Sequence, residues 1–213
     1  MKNTNESALK VAEFLLEIKA IKLETANPFT WASGWKSPIY CDNRKTLSYP
    51  NIRNYIRDQF VKLIKEELGI PDVIAGVATG GVPQGALVAQ ELNLPFVYIR
   101  SSEKTHGLGN VIEGVIHPGQ SVVVIEDLIS TGSSSLKAVE ALRAAGCKIQ
   151  GMAAIFTYCF KKADDSFAAA DCPLVTISDY NYLIEQAVKS GYVKESDLES
   201  LKKWREAPEN WGK

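Results

Sequence analysis

No uninterrupted apolar run in the sequence approaches membrane-spanning length, which argues against a transmembrane helix. The first twenty residues lack the core of a signal peptide, because Glu13, Glu17 and Lys19 interrupt their apolar residues. Charge of one sign is missing too. A formal net charge of −1 leaves no basic field of the kind nucleic-acid binding needs. Any anion site must therefore be local, built from a few side chains and backbone amides. Cysteine is sparse: Cys41, Cys147, Cys159 and Cys172 form no CxxC pair and have no histidine nearby, which argues against zinc. Buried, reduced thiols are the simplest use of them and point to a cytoplasmic setting. There is no G-K-[ST] of a Walker loop and no Ser-His-Asp or Cys-His set for nucleophilic catalysis. Repeats, low-complexity segments and clear linkers are also absent. The 213 residues, 46% hydrophobic and 23% charged, fit one globular domain over 1–213.

What is present alternates. Leu9, Ala12, Phe14, Leu15, Leu16 and Ile18 fall near helical spacing, so the first twenty residues form an amphipathic helix. The segment NPFTWASGWKSPIYCDNR, with Pro28, Gly34 and Pro38 among aromatics, reads as short strands and turns. Helical spacing returns over 50–68. Short apolar runs at 72–78, 95–100, 121–128, 149–158 and 173–178 then read as strands, with helices at 83–92 and about 134–145, the latter stopped by Gly146. Two short helices follow Asp179. Buried β-branched runs separated by helices predict an α/β fold with a mostly parallel sheet covered on both faces. The glycine-containing stretch SSEKTHGLGNVIEGVIHPGQ breaks the alternation; a connection that long in a compact domain has the character of a functional lid.

The most informative stretch is VVVIEDLISTGSSS. An apolar strand ends in Glu126 and Asp127, runs through Leu128 and Ile129, and opens into Ser130, Thr131, Gly132, Ser133 and Ser134 before a helix. In a parallel sheet, ligands sit beyond the carboxyl ends of the strands. A turn of small residues lets backbone N–H groups converge on an anion, and the helix N-terminus adds partial positive charge. The turn therefore suits a 5′-phosphate, and the paired acids suit the two hydroxyls of a ribose. A capped helix, with Ser133 or Ser134 as N-cap, explains one serine but not the acids and the other small residues.

This stretch resembles the PRPP-binding motif of the type I phosphoribosyltransferases. Two further segments resemble the orotate branch of that family. FTWASGWKSPIYCDNR is similar to its FT-x-x-SG-x-KSP-x-x segment, matched by Phe29, Thr30, Ser33, Gly34, Lys36, Ser37 and Pro38. RSSEKTHGLGNVIEG is similar to its catalytic loop, matched by Arg100, Lys104 and His106, with Gly107 and Gly109 as hinges. The tail, TISDYNYLIEQAVKSGYV and WREAPENWG, is similar to the end of the shorter branch. In four places the chain departs from many members. Ala32, Ser101 and the Thr79-Gly80-Gly81 turn stand where those members place lysines. Tyr158 lies near the place of an arginine that contacts the base.

The resemblance implies the type I fold, with residues about 20–48 as a hood over the base. It also implies transfer of the ribose 5-phosphate group of PRPP to orotate, with Mg²⁺ carried by PRPP and met by Glu126 and Asp127 rather than held in a dedicated metal site. PRPP would be held by Arg100, Lys104, His106, Glu126, Asp127, Leu128, Ile129, Ser130, Thr131, Gly132, Ser133, Ser134, Thr79 and Gly80. Orotate would meet Ser130, Tyr40 and Lys36, with Cys41 close by but without a chemical role. Catalysis would rest on Lys104, Arg100, His106 and Asp127. The protein would be a cytoplasmic homodimer whose lids are shared between subunits, with no nucleic-acid or membrane partner. A purine or uracil phosphoribosyltransferase fits the PRPP motif alone but not the FT-SG-KSP and lid segments. A non-catalytic PRPP-binding regulator also fits that motif, but such proteins usually add a nucleic-acid-binding surface. This sequence shows no basic domain of that kind and keeps the Arg100, Lys104 and His106 set.

Overall fold

The computed structural model describes residues 5–31, 34–100 and 111–211. In chain order the helices are α1 (Asn5–Glu17), α2 (Pro50–Leu63), α3 (Gly81–Leu92), α4 (Ser133–Ala144), α5 (Lys161–Ala169), α6 (Tyr180–Lys189) and α7 (Leu198–Glu206). The strands are β1 (Ile21–Leu23), β2 (Phe29–Thr30), β3 (Lys36–Ser37), β4 (Ile39–Cys41), β5 (Val73–Val77), β6 (Phe96–Ile99), β7 (Ile112–Glu113), β8 (Ser121–Ile129), β9 (Lys148–Thr157) and β10 (Leu174–Asp179). Among the described residues, the central sheet has six strands in the order β10-β9-β8-β5-β6-β7. Every neighbouring pair is parallel except β6 with β7, which closes one edge antiparallel.

Side chains alternate across a strand, so an all-apolar run must feed two cores. On β8, Val123 and Ile125 join α1, α2, α6 and α7 on one face, around Leu15, Phe60, Leu183 and Trp204. Val122 and Val124 join α4 and α5 on the other, around Val139, Leu142 and Phe167. This burial on both sides places β8 in the middle of the sheet and its carboxyl end in the crevice between helices.

The five parallel strands fall where the apolar runs predict them. The differences are local. The helix expected over 50–68 is α-helical to Leu63 and ends in a π-turn over Ile64–Leu68. Strand β7 and helix α5 have no counterpart in the sequence-based expectation. β7 is two residues long, too short for any periodicity, and pairs only as Tyr98↔Glu113 and Ile99↔Ile112. In α5 the buried residues are Ala163 and Phe167, a single i,i+4 pair in an otherwise polar helix.

Residues 21–41 form two small antiparallel pairs, β1 with β4 and β2 with β3, set apart from the central sheet. Trp31 fastens them down. Its indole N–H donates to the Ile39 carbonyl at 3.0 Å, and its ring lies 5.3 Å from that of Tyr158 at the end of β9 and 5.7 Å from Trp204 of α7.

Candidate active site

The site begins at the carboxyl end of β8. The strand runs two residues beyond Asp127, so alternation sends the neighbouring carboxylates in different directions. Glu126 is 6% exposed; its carboxylate accepts from Ser135 Oγ of α4 at 2.9 Å and from the Asp127 N–H at 3.0 Å. Burial first, then the Asp127 charge, pushes its carboxyl up to about 8, so Glu126 holds its proton at neutral pH. Asp127 is half-buried and lies against the turn that follows β5. A Cβ on Gly80 would collide with the Asp127 carboxylate, and a Cβ on Gly81 with the Ile125 carbonyl oxygen. The Thr79-Gly80-Gly81 turn is thus small because the β8 backbone and its acid pass directly beside it. Of the two acids, Asp127 is the one open to a ligand.

After Ile129 the chain turns through Ser130 and Thr131 to Gly132, which has φ +78° and serves as the N-cap of α4 without any side-chain cap. A Cβ there would also run into the Phe167 ring. Ser133 and Ser134, candidates for the cap, are instead exposed residues of the first helical turn. Helical bonding starts with Leu136 N–H to Gly132 O at 2.9 Å. The amides of 133–135 come before it and are not used by the helix. This is an anion cradle at a helix N-terminus, reached by a left-handed glycine.

Beside the cradle opens a cleft of about 570 Å³. Its floor is Leu128, Cys41 and Tyr158, its walls are Trp31 and Trp35, and its rim is Thr30, Tyr40, Ser130, Thr131 and Lys162. Tyr40 is 40% exposed and stands 5.7 Å from the Phe29 ring, so it is a rim aromatic and not a core tyrosine. Tyr158 is 2% exposed and packed under Trp31, Trp204 and Phe160; burial holds its phenol protonated far beyond neutral pH. Cys41 donates to Asn43 Oδ1 at 3.2 Å, and burial followed by the Asp127 charge raises its thiol well above the usual range. An unreactive thiol results.

The structure therefore brings together Glu126, Asp127, Leu128, Ile129, Ser130, Thr131, Gly132, Ser133 and Ser134 with Thr79 and Gly80, and sets Tyr40 and Ser130 on the adjoining cleft. Lys36 sits on the β2–β3 hairpin, where its Nζ donates to Thr30 Oγ1 at 2.8 Å, one residue removed from the cleft lining. Arg100 stands at the root of the long connection, 3.6 Å from Glu113 Oε1. Lys104 and His106, with Ser33, Ala32, Ser101, Gly107 and Gly109, lie outside the described residues. The cleft-wall residues Trp31 and Trp35 are not among the residues expected from sequence, nor are two others. Asn43 is buried behind the site, and Lys162 enters from the unforeseen helix α5.

The model of the phosphoribosyl transferase domain matches residues 47–181. The chain is 60% identical over 200 residues to an orotate phosphoribosyltransferase of Bacteroides thetaiotaomicron, covering 94% of each. The chain belongs to the orotate phosphoribosyltransferase family. An orotate phosphoribosyltransferase of Porphyromonas gingivalis is 56% identical over 202 residues, 95% of this chain and 96% of that one. Among solved structures, the orotate phosphoribosyltransferase of Aeropyrum pernix superposes with a TM-score of 0.75 at 28% identity, over 86% of this chain and 99% of that chain. Within this family's fold, the β8–α4 cradle and the aromatic cleft are neighbouring compartments that share Ser130 and Thr131.

Proposed function

We infer that this chain transfers the 5-phosphoribosyl group of PRPP to orotate, releasing pyrophosphate and forming orotidine 5′-phosphate, a step in making UMP. The observation that carries it is the adjacency of a phosphate cradle and an aromatic cleft in the size range of small-molecule sites, joined through Ser130 and Thr131. The bond from the anomeric carbon to pyrophosphate breaks with its electron pair leaving on pyrophosphate. A bond from the base nitrogen to that carbon forms, and the nitrogen gives up its proton.

No protein nucleophile is required; positioning and electrostatics supply the rate. The amides at the start of α4, with Ser130 and Thr131, would grip the 5′-phosphate. Asp127 would hold the ribose hydroxyls, and the Thr79-Gly80 turn would offer backbone amides to pyrophosphate. Tyr40 would lie over the base. The donor chemistry fits Mg²⁺, since Asp127 presents a hard carboxylate oxygen and PRPP brings phosphate and hydroxyl oxygens of its own. Bound there, the ion would offset charge on the departing pyrophosphate. Arg100, Lys104 and His106 would add to that as the long connection closes, each lid covering the neighbouring subunit's site in a cytoplasmic homodimer. The test is pyrophosphate release from PRPP and Mg²⁺ with orotate, uracil or hypoxanthine as the base.

A further inference from the structure

Orotate differs from uracil by a carboxylate, and a carboxylate moved into a half-apolar cleft needs a positive partner. The floor and walls described above cannot supply one. The Trp31 indole N–H is already committed to Ile39 O, the Cys41 thiol to Asn43, and the Tyr158 phenol is neutral and buried. Among the described residues lining the cleft, Lys162 is the one cation. We propose that Lys162 reads the carboxylate of the base and so sets the preference for orotate over uracil, an inference that rests on the reaction inferred above.

Its placement is unusual for a merely solvated lysine. Lys161 and Lys162 open α5, where the helix dipole disfavours cations. Lys161 is compensated, with its Nζ 2.6 Å from Asp165 one turn on. Lys162 has no such partner: the residue one turn on from it is Ser166, whose hydroxyl donates to the Lys162 carbonyl at 2.7 Å. Arg205, in the groove next to the cleft, points its guanidinium at the Cys159 carbonyl and does not line the cleft. Among the described residues no carboxylate forms an ion pair with Lys162, although Glu206 and Glu209 line the adjoining groove that it also borders. A cation at a helix start, on the lining of an aromatic cleft, is placed to meet an anion. Lys162 also borders Thr131 of the phosphate cradle, so the 5′-phosphate is the competing anion.

Steady-state kinetics of the full chain separates the two. The wild-type protein is assayed first with orotate, with uracil and with hypoxanthine. If it uses uracil or hypoxanthine but not orotate, the inferred reaction itself is wrong, and the role of Lys162 goes with it. Given orotate activity, Lys162→Ala is expected to raise the KM for orotate ~10–100-fold, the loss of one charge-assisted hydrogen bond. The KM for PRPP should hold, and the ratio of orotate to uracil activity should fall. Lys162→Arg should recover most of the orotate KM, and Lys161→Ala should change neither constant. An unchanged orotate KM in Lys162→Ala overturns the proposal while leaving the reaction intact. A rise in the PRPP KM in place of the orotate KM overturns it equally, because it assigns Lys162 to the phosphate.

Discussion

Asn43 Nδ2 donates to the main-chain carbonyl of Asp127 at 2.6 Å, a contact across 84 residues that ties the segment after β4 to the carboxyl end of β8. Asn43 is 1% exposed and accepts from Cys41 through its other side-chain atom. Its own carbonyl accepts from Thr46 Oγ1 at 2.6 Å, and Thr46 Oγ1 accepts from Gln84 Nε2 of α3 at 3.2 Å. One polar chain thus touches the aromatic cleft, the acid at the end of β8 and the helix after the Thr79-Gly80 turn.

Asn43→Ala should therefore affect both stability and turnover. It leaves a buried carbonyl without its donor, which costs ~1–3 kcal/mol. Freed of its tether, the end of β8 should let Asp127 drift, and kcat/KM should fall at least ~10-fold through loss of positioning. Urea unfolding and steady-state kinetics check the two effects. Normal kinetics in a destabilised variant would confine Asn43 to a packing role.

Gly80→Ala puts a methyl group where the Asp127 carboxylate lies. The acid must move by an ångström or more, and a displacement of that size at a reacting centre costs ~10²-fold in rate. Circular dichroism should show the fold retained. Near-normal turnover in Gly80→Ala would mean that the close approach of Gly80 to Asp127 has no bearing on the reaction.

Glu126 should make stability depend on pH. Its folded-state pKa of about 8 lies above the ordinary 4.5, so the folded protein keeps a proton that the unfolded chain releases. The associated stability is fully present below about 4.5 and is lost as pH rises through about 8. Glu126→Gln cannot ionise and should escape that loss. At about pH 9 its melting temperature should exceed the wild type's by at least ~2–4 °C, the shift that ~1 kcal/mol produces in a chain of this size. Parallel melting curves for the two proteins from about pH 5 to pH 9 would show that Glu126 is ionised throughout.

Much of this architecture is legible in the residue pattern. The five parallel strands stand out because burial on both faces demands continuous apolar runs, and β8 is the longest buried example before a turn of small residues. The cradle is legible because Ser130, Thr131, Gly132, Ser133 and Ser134 are contiguous. Contacts between distant segments are not. Nothing local marks Asn43 as the partner of Asp127, since an Asn near a turn is commonly a turn residue. Lys162 is hidden for a different reason: helix α5 buries only Ala163 and Phe167 and so shows little periodicity. The division of labour between Glu126 and Asp127 depends on β8 continuing to Ile129, which decides which acid faces Ser135 and which faces Gly80.

If lids are shared between subunits, two crippled chains should rescue one another. Asp127→Asn removes the charge at the ribose, and Lys104→Ala removes a lid donor; each should lower kcat by ~10²-fold or more. A heterodimer of the two has one site with an intact ribose acid beneath an intact lid from the other chain. Mixed dimers should regain activity approaching one working site. Mixed dimers that form yet stay as inactive as their parents would mean the lid serves its own subunit or Lys104 takes no part.

The central claim is tested most directly by pyrophosphate release from PRPP and Mg²⁺ with one base at a time. Orotate should drive rapid release and yield orotidine 5′-phosphate in equal amount, while uracil should be a poor substrate and hypoxanthine none. Release driven by hypoxanthine or uracil with none from orotate, or no base-dependent release at all, would contradict the account.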